Sequence, residues 1–423
     1  MLNKLKKVKD LTGRVRKSKD GKVLVENFAY LTLLQVAGYI FPLITLPYLA
    51  RVIGVDSFGK IAFAAAIIGW FQTVADWGFN YTATRDVAKN REDKEKVSQI
   101  FSNVLWARCI LTLFSFILLI ILILLVPKFQ EISLLLLITF LMIPGHILFP
   151  DWFFQAMEKM KYITILNLIS KLLFTIAVFV FIKEKSDFIL QPLFVSLGFV
   201  VSGIIAMYYI LVRWEIKLQK PNIKEIRLTI KNSTDIFINN LMPNLYNSFS
   251  TFLLGMFGGA VSNGKLDAGS KFIGLGQQFI TIISRTFFPY LSRKIDRHNL
   301  YAKINIYISL FLSGLLFFFA PLIIKLFFTP EFYDSIKVMQ IMSISIFFLS
   351  LVNIYGTNYM IIQGYEKQLR NITILSSIIG FSLSFPLIYF FNYIGAALTV
   401  SITRGILGLS ISIRAVKLKA NVC

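Results

Sequence analysis

Three things are scarce in this 423-residue chain. Cysteine occurs twice, Cys109 inside an apolar run and Cys423 at the last position, so neither a disulfide framework nor a thiolate metal site can be assembled. Histidine also occurs twice, at His146 and His298, too few imidazoles for a metal centre, and no metal or cofactor is expected. Charge is the third shortage. Asp, Glu, Lys and Arg make up 16% of residues, whereas a soluble chain carries about 25%. A water-soluble fold of this length is excluded.

Hydrophobic residues fill the space, at 56%. They fall in stretches of about 20, the length a helix needs to cross a hydrocarbon core of about 30 Å. Spans are expected at residues 28–50, 58–82, 100–126, 132–152, 162–182, 189–212, 233–256, 267–290, 302–328, 336–362, 371–391 and 394–413. No water satisfies an open backbone in lipid, and the alternating pattern of a membrane barrel is absent, so these are helices. The fold class is an all-α polytopic membrane protein with about 12 transmembrane helices.

The net charge of +22 is unevenly placed. Basic residues gather before Phe28, over Arg85–Lys96, at Lys159 and Lys161, over Arg213–Lys231 and Arg293–Lys303, at Lys367 and Arg370, and over Arg414–Lys419. Roughly thirty Lys and Arg lie on that set of surfaces against roughly eight on the other, which places both termini in the cytoplasm. The charge is thus a topology signal, and nucleic acid is not an expected partner. The tail over residues 1–27 has no signal-peptide cleavage pattern. It either rests on anionic lipids of the inner leaflet, at about 1 kcal/mol per basic residue, or merely holds the terminus inside.

The chain also repeats itself. "QAMEKMKYITIL" from Gln155 is echoed by "QGYEKQLRNITIL" from Gln363, and "GVDSFGKIAFAAAIIGWFQ" from Gly54 by "GAVSNGKLDAGSKFIGLGQ" from Gly259. Both offsets are about half the chain, in the same order. Six helices per half is an even number, so the halves enter from the same side and are related by an axis along the membrane normal. The expected organisation is a basic tail (1–27), a six-helix lobe (28–212), a cytoplasmic linker (213–232), a second six-helix lobe (233–413) and a short tail (414–423). Such duplicated lobes enclose a cavity that rocking exposes to each face in turn. Gly54 and Gly259 are expected in tight outer turns that need positive φ. Glu158 and Glu366 are candidate gate latches in matching inner turns.

Ionisable residues away from span ends cost about 2.5–3.5 kcal/mol each unless they face a cavity. Arg108, Lys171, Lys271, Arg285 and Arg404 are basic, and Asp76 and Asp235 acidic. Pairing would leave about three positive charges over, which suits a wet cavity receptive to anions, with Arg51 at its outer mouth. Arg108, Lys271 and Arg285 are near enough to span ends to snorkel instead. Asn240, Asn244, Asn247 and Thr251 share one helical face, as cavity lining or as interhelical glue. Pro42, Pro47 and Pro243 remove backbone donors and should bend the first and seventh spans as hinges.

"LPYLARVIGVDSFGKIAFA", "DWGFNYTATRDVAKNRED" and above all "PDWFFQAMEKMKYITILNLISK" resemble the Wzx-type polysaccharide flippases, of the multidrug/oligosaccharidyl-lipid/polysaccharide exporter superfamily. The resemblance covers nearly the whole chain. It implies two six-helix lobes in a V, in the bacterial cytoplasmic membrane. It also implies alternating-access translocation of undecaprenyl-diphosphate-linked oligosaccharide repeat units for O-antigen or capsule assembly, coupled to protons or another ion such as sodium. Other polysaccharide assembly proteins are its implied partners. A diphosphate-linked sugar is an anion that Lys171, Lys271 and Arg404 would suit by charge-assisted hydrogen bonds. Asp76 and Asp235 are then the candidates for a coupling proton. A multidrug antiporter of the same architecture is the main alternative, though cationic drugs would favour an acidic cavity. A membrane-embedded biosynthetic enzyme would need a sizeable extramembrane site with paired carboxylates, and the short loops hold none.

Overall fold

The apolar runs fold as the composition requires. The computed structural model describes residues 19–420, and among these the chain is helical with no strand. The start of the basic tail (1–18) and Cys423 lie outside the described residues. Helix α1 (Lys19–Asp76) carries the first two spans, broken at Gly54 alone, whose φ of 71° only glycine adopts without strain. The loop expected over 51–57 is therefore a one-residue turn. Next come α2 (Phe79–Lys89), α3 (Lys94–Leu125), α4 (Pro127–Glu131), α5 (Ser133–Phe140), α6 (Met142–Leu148), α7 (Asp151–Ala156), α8 (Met160–Phe181) and α9 (Leu190–Tyr208). Asp93 starts α3 by accepting the Lys96 amide at 3.0 Å. Beyond it, Leu113, Phe114 and Leu124 stand more than half exposed, as a lipid-facing surface requires.

The expected linker over 213–232 is extended only up to Asn222. That residue caps α10 (Ile223–Leu241) by accepting the Lys224 and Glu225 amides. A 3₁₀ turn, Met242–Leu245, then separates α10 from α11 (Ser248–Phe257), so the seventh span is broken at Pro243 and not simply bent. The rest of the chain is α12 (Gly259–Arg293), α13 (His298–Phe327), α14 (Ser335–Leu351) and α15 (Glu366–Ala420), the last broken at Asn392. Among the described residues eight helical segments are long and apolar enough to cross a membrane, and two of them contain the breaks at Gly54 and Asn392. Two of the longer helices, α10 and α12, fall outside that set. Helix α12 is long enough but too polar, because Asp267, Ser270, Lys271 and Gln277 point into a cavity.

The two echoes have backbone counterparts. Gly54 and Gly259 take φ of 71° and 81°. At the other face, the Lys159 amide donates to the Phe154 carbonyl and the Tyr365 amide to that of Met360, each at 2.8 Å. A left-handed residue precedes each donor, Glu158 (φ 55°) and Gly364 (φ 77°). The structural partner of Glu158 is thus Gly364, two residues before the Glu366 that the letters aligned with it.

Apolar contact between the halves is concentrated at the Gly54 face. One core joins Leu49, Ile53 and Phe58 to Leu254, Leu266 and Phe332. Towards the Glu158 face the buried clusters keep apart, one holding Phe79, Phe101, Phe153 and Ile226 and others Leu291, Ile354 and Ile411. Helix α10 is the bridge there. Its Phe237 stacks on Trp77 with centroids 3.9 Å apart, and its Ser233 meets Thr82 at 2.7 Å.

Candidate functional site

Small residues on one helix and polar residues on its neighbours leave a cavity of about 580 Å³ between the chain halves. Ala62, Ala65 and Ala66 of α1 keep one wall thin, and Gln191 and Ser196 of α9 continue it. The opposite wall is polar: Asn247, Thr251, Asp267, Lys271, Gln277 and Arg404.

Arg404 is held by neutral groups, the Tyr246 side chain among them. Its Nη1 donates to Ser345 Oγ at 3.2 Å and its Nη2 to Asn247 Oδ1 at 3.1 Å. Gln277 Nε2 donates to the same Ser345 Oγ at 3.4 Å. No carboxylate pairs with Arg404 among the described residues, and its Nε has no partner among them either. The cation is therefore positioned but not neutralised. Lys271 pairs with Asp267 one turn back at 3.0 Å and lies 6.0 Å from the Phe58 ring centre. Two cations and one carboxylate leave the wall one positive charge in surplus.

That is fewer than the three foreseen, and the reasons are specific. Arg108, only 3% exposed, is ion-paired with Asp76 away from the cavity. A cavity cation and a coupling acid thus turn out to be two ends of one pair. Arg108 Nε and Nη1 have no partner among the described residues. Lys171 lies on α8 beside Gly38, half-buried, and does not line the cavity. Arg51, Arg285 and Asp235 are exposed, away from the cavity wall.

The amide stripe is divided by the break at Pro243. Asn240 is exposed, Asn244 Nδ2 donates to Thr73 Oγ1 of α1 at 3.0 Å, and Asn247 and Thr251 reach the cavity. Pro42 and Pro47 sit in unbroken helix. In the inner turn, Glu158 accepts from Arg91 at 3.0 Å, which draws its carboxyl below the usual range. Glu366 is exposed at the start of α15. Several site residues were absent from the sequence reading. Asp267 was visible as the i, i+4 partner of Lys271, and Gln277 belonged to the second echo. Ser345 carried no signal, being one serine of many.

A family model described as "Polysaccharide biosynthesis protein" matches residues 24–295. A curated relative from Escherichia coli (strain K12), "Putative O-antigen transporter", is 29% identical over 389 residues, 90% of this chain and 94% of its own length. Among solved structures, the lipid II flippase MurJ in an inward closed conformation superposes with a TM-score of 0.73 at 17% identity, covering 92% of this chain and 87% of that one. An inward-facing multidrug resistance MATE family transporter of the MOP superfamily gives 0.66 at 14%, covering 94% and 100%. At these identities the two structures speak for the fold alone.

Proposed function

The chain belongs to the polysaccharide biosynthesis protein family, and from that premise we propose that it is a flippase carrying lipid-linked oligosaccharide repeat units across the membrane. It is a multi-pass membrane protein and a transporter, not an enzyme; the relative aligned over nine-tenths of it is named as a transporter. The finer reading is a cytoplasmic-membrane protein with both termini inside and two six-helix lobes that rock about the cavity. Its cargo is an undecaprenyl-diphosphate-linked glycan.

One observation carries this reading. Arg404 faces the cavity between the halves with its guanidinium fixed by Ser345 and Asn247 and left without a counter-charge. A pyrophosphate bound there would add the missing charge through charge-assisted hydrogen bonds. Lys271 contributes a second donor, and the amides of Asn247, Gln277 and Gln191 suit sugar hydroxyls. The isoprenoid chain stays in the bilayer, so only the headgroup needs a hydrophilic path. Ion coupling belongs to this proposal too. Its two candidates stand apart, Asp76 paired to Arg108 and Asp235 exposed on α10.

The test is a deletion strain scored for lipid-linked oligosaccharide in each leaflet. Build-up on the inner leaflet, relieved by the intact gene and not by Arg404→Ala, is the expected result. Normal outer-leaflet delivery without the protein overturns the reading. Export of cationic drugs fits less well, since a surplus positive charge repels them.

A further inference from the structure

The echoed glycines place two sets of contacts between the halves, and each set has a twin. A Cβ built at Gly59 would fall 1.7 Å from the Ala260 carbonyl oxygen, and one at Gly264 would fall 2.3 Å from that of Val55. In the sequence echo Val55 aligns with Ala260 and Gly59 with Gly264, so these are one contact seen twice. Helices α1 and α12 cross there backbone to backbone.

Flanking that crossing are two short turns that share a P-x-F pattern. Pro127-Lys128-Phe129 begins α4, and Pro330-Glu331-Phe332 follows α13. Phe129 and Phe332 are both buried and anchor their turns. The middle residue of each reaches the opposite half. Lys128 Nζ donates to the Met256 carbonyl, in the last turn of α11 just before Gly259. Glu331 Oε2 accepts from the Val55 amide at 3.3 Å, the first residue after the Gly54 break.

The charges are opposite because the helix ends are opposite. A carbonyl left free at a helix C-terminus favours a cation, and an amide left free at an N-terminus favours an anion. We propose that Lys128 and Glu331 are a reciprocal latch, each capping a helix end of the other half, that holds the Gly54 face of the transporter closed. This rests on the rocking-lobe reading above. The partners are backbone groups that leave when the halves part, so the latch is spent on opening and re-formed on closing. Gly59 and Gly264 supply the surface on which it shuts.

The full chain, with Cys109 and Cys423 replaced by serine and spin labels at Asp56→Cys and Val261→Cys, is reconstituted in lipid for pulsed distance measurement. The unmodified latch should give one short population across the Gly54 face. Lys128→Gln with Glu331→Gln should add a longer population, changing the open-to-closed ratio on the order of tenfold. The exchange Lys128→Glu with Glu331→Lys should not restore the short distance, because the two side chains bind helix ends and not each other. An unchanged short population in the double Gln variant overturns the proposal, and so does restoration by the exchange. Should the double variant fail to insert, Glu331→Gln alone carries the same test with a smaller shift. No substrate is needed, so failure here leaves the transport reading standing, and a failed transport assay leaves the latch standing.

Discussion

Arg404 illustrates what one side chain can be asked to do. Its two nitrogens are spent on Ser345 and Asn247, which costs the cavity two neutral acceptors and fixes the cation's direction. Replacing it with Gln keeps hydrogen bonding and removes charge, so transport should fall at least about tenfold, the loss expected when one charged hydrogen bond disappears. Arg404→Lys should retain part of the activity, having charge without the fork. Transport assays on membranes with matched protein levels check both. Arg108 behaves differently, because it is buried against Asp76. Arg108→Met alone strands a carboxylate and should cost about 3 kcal/mol, while Arg108→Met with Asp76→Asn should recover most of it. Thermal unfolding in detergent separates the two. The Glu158–Arg91 pair is half-exposed and contributes at most about 1 kcal/mol. Its carboxyl is drawn below the usual range. That stabilisation is therefore complete above the ordinary glutamate pKa and is lost as pH falls through the lowered folded value. Glu158→Gln should match the parent's midpoint at low pH and lie slightly below it at neutral pH.

Elements were legible where one residue dictates the backbone. Gly54 and Gly259 take the positive φ expected of them, a conformation that glycine adopts at least cost. Pro243 announced a disturbance, yet not its consequence: α10 packs on the N-terminal half through Phe237 and Ser233 while α11 stays with the cavity. That division depends on what neighbours offer, and a single span's periodicity does not record it. The Gln155 and Gln363 echo misled by two residues, since the turns are set by their carbonyl partners and not by the repeated letters. Echoed glycines also differ in weight. Gly59 meets backbone at once, whereas a Cβ at Gly69 or Gly274 has nothing within 4 Å. Gly59→Val should therefore destabilise by about 1–3 kcal/mol through forced separation of α1 and α12. Gly69→Ala should be neutral or gain up to about 1 kcal/mol from helix propensity. Melting temperatures of the two variants, prepared side by side, decide it.

Composition and the lengths of the apolar runs pointed to membrane and helix at the scale of the whole molecule, because lipid permits so few alternatives. The cavity was only half legible. Arg404 and Lys271 were identifiable as costly charges in apolar spans, and both line it. Arg108, Arg285 and Lys171 carried the same signal and lie elsewhere, since helix rotation and a distant carboxylate decide which way a cation points. The seal at the Gly54 face and the separate cores at the other describe one shape, halves joined at one end with a polar pocket between them. The proposed function requires that a phosphorylated sugar head be drawn in by the unpaired cation. The direct measurement is the leaflet distribution of lipid-linked oligosaccharide in cells producing Arg404→Ala with Lys271→Ala at normal membrane levels. Accumulation on the inner leaflet, equal to that of the deletion, is the predicted result; full delivery to the outer leaflet would contradict it.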